Sequence, residues 1–195
     1  MKNKILTKSI VLILILGLTI SLSGCGVTEV IKKEVEQKKE AEQQEEQKQN
    51  GLVVFEYIEK IKPEFTVAQI NEVIGKEGEL TDEKYNKYTW KITDDVEMLA
   101  TYYSSKTATI KIDIPNKLLK DEKVDLSCAK ELKSLVNSKD GVKYDDFVSK
   151  IGTKGYLVEK SSSSVYYIWV NKDGGYIKGS FSTSSGKCTF FSAWA

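Results

Sequence analysis

Apolar and polar positions divide the chain into three stretches. Ile10 to Ile20 is an apolar run broken only by Gly17 and Thr19. Residues 27–50 are mostly Glu, Lys and Gln, with few apolar residues. From residue 51 the apolar positions return in two rhythms. Phe55, Ile58 and Ile61 recur at helical spacing, as do Leu132, Leu135 and Val136. Thr66 followed by Gln69 predicts a capping box opening a second, shorter helix. Gly75 and Gly152 stand where left-handed helix caps are needed. Tyr88–Ile92, Thr107–Asp113, Val165–Val170 and Tyr176–Phe181 are rich in aromatic and β-branched residues and predict strands. Asp173-Gly174-Gly175 reads as a hairpin turn; with Asn171 it has too few carboxylates for a calcium loop.

The chain repeats itself. Phe55, Ile58, Phe65, Val67, Ile70 and Ile74 fall on Leu132, Leu135, Val142, Tyr144, Phe147 and Ile151 at a constant offset of 77. Ile74-Gly75-x-x-Gly78-x-Leu80 falls on Ile151-Gly152-x-x-Gly155-x-Leu157. Tyr88-Thr89-Trp90 then falls on Tyr167-Ile168-Trp169 after a two-residue insertion. The expected fold class is α+β: two tandem helix–helix–antiparallel-sheet domains, 51–115 and 126–195, joined by a linker at 116–125. Units of this size are marginal alone, which favours packing between them.

The N-terminus reads as an address. Lys2, Lys4 and Lys8 precede the apolar run, and Leu22-Ser23-Gly24-Cys25 follows it. A basic start, a short apolar segment and small residues before a cut site describe a secretory signal over 1–24. The tetrad resembles the bacterial lipobox. That resemblance implies a diacylglycerol on the Cys25 thiol and an N-acyl chain such as palmitate. Residues 25–50 then form a charged, partly helical or disordered stalk, with Glu29–Lys33 and Glu34–Lys38 at i,i+4. The expected location is the outer face of the cell membrane, lipid-anchored. The Lys- and Ile-rich composition points to a Gram-positive source.

Composition removes several chemistries. There is no His among 195 residues and every basic residue is Lys, so no imidazole catalysis and no guanidinium fork exist. The 29 Lys are matched by 28 acids, which leaves no basic field for nucleic acid. Beyond Cys25 two cysteines remain, Cys128 and Cys188, and their spacing leaves a disulfide open. Ser127-x-x-Lys130 and Ser184-x-x-Lys187 lack the Lys-Thr-Gly or Ser-Asp-Asn partners of penicillin-interacting enzymes. Asp94-Asp95 and Asp145-Asp146 are neighbours whose side chains point apart. No catalytic site, metal site or cofactor is expected.

The stretch from Gly75 to Leu80, the strand Tyr88-Thr89-Trp90-Lys91 and the Phe181-x4-Gly186-Lys187 turn resemble the β-lactamase inhibitory protein-like repeat, found also in Gram-positive lipoproteins. The first unit departs from it, with Ser105-Lys106 where the family has a Gly-Lys turn. The resemblance implies two tandem helix–helix–sheet domains. It does not imply β-lactamase inhibition, since the loop and face residues that activity needs are not matched here. A weaker similarity is to small outer-membrane assembly lipoproteins of the same architecture.

Strand alternation then selects a face. If Tyr88, Trp90, Tyr167 and Trp169 lie under the helices, the opposite face of the second unit presents Tyr166, Ile168, Tyr176, Phe190 and Trp194. The first unit presents Thr89, Lys91, Thr109 and Lys111 there. Such an aromatic patch is expected to dock a protein at the cell surface. The alternatives are a seam against the first unit, or a structural or assembly lipoprotein of the envelope.

Overall fold

Two glycines end two helices in the same way. Gly75 at φ 80° and Gly152 at φ 91° each adopt the left-handed conformation after an eight-residue helix. The computed structural model in which they stand describes residues 49–104 and 107–194, with Val35, Lys38, Lys39 and Glu46. The chain divides into units 1–44 and 45–195. In the first, Val35, Lys38 and Lys39 are helical. Cys25, the signal and most of the stalk lie outside the described residues. Among the described residues no helix is long and apolar enough to cross a membrane.

In the second unit, helix α1 (Val54–Lys60) is followed by α2 (Val67–Ile74). Thr66 and Gln69 form the expected capping box around the start of α2. Strands β1 (Glu79–Asp82), β2 (Lys87–Lys91), β3 (Glu97–Ser104) and β4 (Thr107–Asp113) come next. A 3-10 turn (Asn116–Leu118) and the short β5 (Lys120–Asp121) lead into α3 (Ala129–Val136) and α4 (Tyr144–Ile151). Asp146 caps α4 by accepting from the Lys143 backbone N–H at 2.8 Å. Strands β6 (Tyr156–Lys160), β7 (Ser164–Asn171), β8 (Tyr176–Ser182) and β9 (Cys188–Trp194) finish the chain. The order helix, helix, then four strands occurs twice, and α2 and α4 are 77 positions apart. The sequence pattern predicts β2, β4, β7 and β8; it does not single out β1, β3, β5 or β6.

The nine strands among the described residues belong to one sheet, in the order β1-β2-β3-β4-β6-β7-β8-β9, with β5 parallel to β7. The main path is antiparallel throughout. The two halves join through β4 and β6, where Ile110 pairs with Lys160 and Lys111 with Glu159. Pairing carries the helix-side face from Ile110 through Lys160 to Val165. Both helix pairs therefore cover the same face. The α+β class with an antiparallel sheet stands.

Trp90 and Trp169, 0% and 1% exposed, are the largest residues beneath the helices. Trp90 packs with Val54, Ile58, Ile70, Met98 and Ile110, and Trp169 with Leu132, Phe147, Ile151, Ile177 and Phe181. Their indole N–H groups are satisfied differently. Trp90 Nε1 donates to Asn71 Oδ1 at 2.8 Å, and Trp169 Nε1 to the Thr153 carbonyl at 3.0 Å. A third cluster forms around Leu119, Ile168 and Val170. Leu52 just before α1, Phe55 in its first turn, Ile114 just after β4 and Tyr156 pack against it. Phe55 and Tyr156 meet with ring centroids 4.8 Å apart.

That third cluster corrects one expectation. Strand alternation alone predicts Ile168 on the exposed face, yet it is 3% exposed. Alternation puts it opposite Trp169 as expected, but the linker and the first turn of α1 close over it. A sheet face reads as open from its own strand; the covering chain comes from elsewhere in the sequence.

Candidate binding face

The other four residues stand in register across three strands. Tyr166, Ser180 and Phe190 form one row across β7, β8 and β9. Ile168, Lys178 and Ser192 form the next, and Val170, Tyr176 and Trp194 the third. Tyr166 and Phe190 have ring centroids 6.4 Å apart. Ser180, between them, is 1% exposed. Its hydroxyl lies 3.4 Å from Thr189 Oγ1, so its burial costs little. Tyr176 and Trp194 have centroids 6.3 Å apart. Lys178 Nζ lies 4.8 Å from the centre of the Tyr176 ring, within cation–π range.

The face is thus two aromatic pairs with a lysine between them. Phe190 is 49% exposed and Trp194 63%. Tyr166 and Tyr176 are half-buried, their rings supported by their neighbours. Aromatic side chains bury about 150–250 Å² each when covered, and a soluble surface seldom clusters them in the open without a partner.

Toward the first half the face turns polar. Glu159 stands opposite Tyr166 on one side and Lys111 on the other. Burial holds the Glu159 carboxyl above the ordinary carboxylate range, and Lys111 pulls it partly back. Further out lie the facing pairs Lys111–Leu99 and Thr109–Thr101, then Leu99–Thr89 and Glu97–Lys91. Lys91 reaches Asp94 at 2.9 Å; that hydrogen bond, and then its charge, lowers the Asp94 pKa and raises that of Lys91. Composition along one strand does not reveal Glu159 or the buried Ser180; only pairing between strands does.

The remaining candidates are not brought together. Cys128 and Cys188 are free thiols. The Cys128 Sγ donates to the Asp125 carbonyl at 3.4 Å, and the Cys188 Sγ to the Phe190 carbonyl at 3.0 Å. Burial pushes both thiols up, away from the reactive thiolate. Asp95 pairs with Lys117 at 3.2 Å. Asn171 accepts from the Asp173 N–H at 3.1 Å, with Gly174 at φ 94°, so this segment is a turn. Among the described residues no group of three or more acids or cysteines is placed to hold a metal ion.

The fold defines an α+β protein with its helices on one side of a long antiparallel sheet. No protein-family model, curated protein or solved structure matches the chain.

Proposed function

We propose that this chain is a membrane-anchored extracytoplasmic lipoprotein that binds a protein through the uncovered sheet face of its second half. It acts without catalysis. The observation that carries the reading is the two-pair aromatic array around Lys178, whose outer members Phe190 and Trp194 remain exposed. Lipidation at Cys25 places this face outside the cell, on a charged stalk.

The two halves are read as copies of one ancestral domain, related to the β-lactamase inhibitory protein-like repeat. The equal spacing of α2 and α4 and the shared left-handed glycine caps support that descent. Two tests separate the parts of the proposal. Cys25→Ser is expected to release the protein from membranes and abolish labelling by radioactive palmitate. Trp194→Ala and Tyr166→Ala are expected to weaken capture of a cell-surface protein at least tenfold with an unchanged unfolding midpoint. Full binding by both variants would remove the face from the proposal.

A further inference from the structure

The two edges of the sheet differ in kind. Edge strand β1 has four residues, carries Glu79 and Asp82, and is bulged between Leu80 and Asp82. Charge, shortness and a bulge are the usual protections against strand addition. Edge strand β9 has seven residues, Cys-Thr-Phe-Phe-Ser-Ala-Trp, with no charge and no proline. One end is closed, because the Cys188 N–H donates to the Val142 carbonyl at 2.7 Å. Past the register shift between Ser180 and Phe181, no strand pairs with the outer side of β9 among the described residues.

The hydrogen-bonding direction along β9 follows from its hairpin. Ser182 N–H donates to the Lys187 carbonyl at 3.0 Å, so even-numbered residues of β8 face β9. Through the pairs Ser180–Phe190, Lys178–Ser192 and Tyr176–Trp194, β8 engages the backbone groups of Phe190, Ser192 and Trp194. Those of Phe191 and Ala193 point to the free edge.

We propose that β9 pairs antiparallel with β9 of a second copy of this chain, about a twofold axis through Ser192. This register engages all four free backbone groups of each copy, since Phe191 then bonds Ala193 of the other. It also sets Phe190 opposite the Trp194 of the second copy, in a non-hydrogen-bonded pair where side chains approach most closely. The two most exposed aromatics of the face thereby cover each other. A strand that meets itself must avoid like charges, and β9 carries none. On the helix side, Lys130 and Lys133 border a recess with Phe191, Ser192 and Ala193. Both are exposed, and their long stems carry the charge away into water.

The pairing does not depend on the docking proposal. It would extend the aromatic row from Tyr166 and Phe190 into Trp194 and Tyr176 of the second copy, with Lys178 of each copy uncovered.

The test is Ser192→Cys in the full chain, oxidised in native membranes and run on a non-reducing gel. At the twofold axis the two Cα atoms would stand about 4.5 Å apart, inside disulfide range. A band of twice the mass is expected, at least tenfold above that of unaltered protein or of Thr183→Cys at the distant hairpin. Adding Ala193→Pro removes one outward N–H and leaves the β8 ladder intact. Adding Phe190→Glu instead leaves every backbone group and places a carboxylate opposite Trp194. Each addition is expected to reduce the band at least tenfold at an unchanged unfolding midpoint. A Ser192→Cys band no stronger than the Thr183→Cys control would overturn the pairing. So would a band that survives Phe190→Glu. Neither result bears on capture of a different protein by the face.

Discussion

Trp90 fills the space where a side chain at Gly78 would stand, its indole packed directly on that backbone. Trp169 does the same at Gly155, where a Cβ would come within 2.6 Å of the ring. The repeated Gly-x-x-Gly therefore has two different causes. The first glycine ends a helix in a left-handed cap, with nothing within 4 Å of a Cβ at Gly75. The second gives up its side chain to a tryptophan far along the chain.

These causes separate on substitution. Gly78→Ala and Gly155→Ala overpack the core and are expected to cost about 1–3 kcal/mol each. Gly75→Ala meets no atom and is expected to cost about 1–2 kcal/mol through its backbone conformation. Urea unfolding measures both. Changing Trp90 to Phe should relieve the penalty at Gly78 and leave that at Gly75 untouched.

Asn71 makes the Trp90 site in the first half. Its side-chain oxygen accepts from Trp90 Nε1 at 2.8 Å and from the Gly78 N–H at 3.1 Å, while its amide donates to Glu77. Asn71→Ala leaves a buried indole N–H without a partner, at an expected cost of about 1–3 kcal/mol. The equivalent Val148→Ala lacks this loss, because Trp169 donates to a backbone carbonyl. Equal polar penalties at the two sites would show that the Asn71 bonds contribute nothing.

Local signals were legible in the sequence wherever one residue type answers one local need. The Thr66–Gln69 cap, the two left-handed glycines and the tryptophans beneath the helices are of this kind. So is the alternation that sets Tyr166, Tyr176, Phe190 and Trp194 on one face. What pairs across distance was not legible. The joining of both halves into one sheet rests on Ile110–Lys160 and Lys111–Glu159. The closure over Ile168 by Leu119 and Phe55 brings together residues more than 45 positions apart, with no shared motif.

That closure divides the face energetically. Ile168→Ala opens a cavity beneath the linker and is expected to cost about 2–5 kcal/mol. Trp194→Ala, at an exposed position, is expected to stay within about 0.5 kcal/mol. Thermal unfolding of the two variants checks the division. A large loss at Trp194 would make it part of the core.

Glu159 makes stability depend on pH. Its folded-state pKa lies above the ordinary 4.5, chiefly through burial, so folding favours the neutral acid. The stabilisation is present below 4.5 and is lost as pH rises through the higher folded value. Glu159→Gln is therefore expected to raise the unfolding midpoint at pH 7. The gain is no more than about 1 kcal/mol, because water screens a half-exposed group. Below pH 4 the variant and the parent should unfold together.

The most direct test places a photo-crosslinking amino acid at position 178, in the middle of the uncovered face, on living cells. The expected product is one dominant adduct with a different protein, lost when Trp194 or Tyr166 is changed to Ala. Adducts only with other copies of this chain, or labelling that ignores both substitutions, would contradict a docking role for this face.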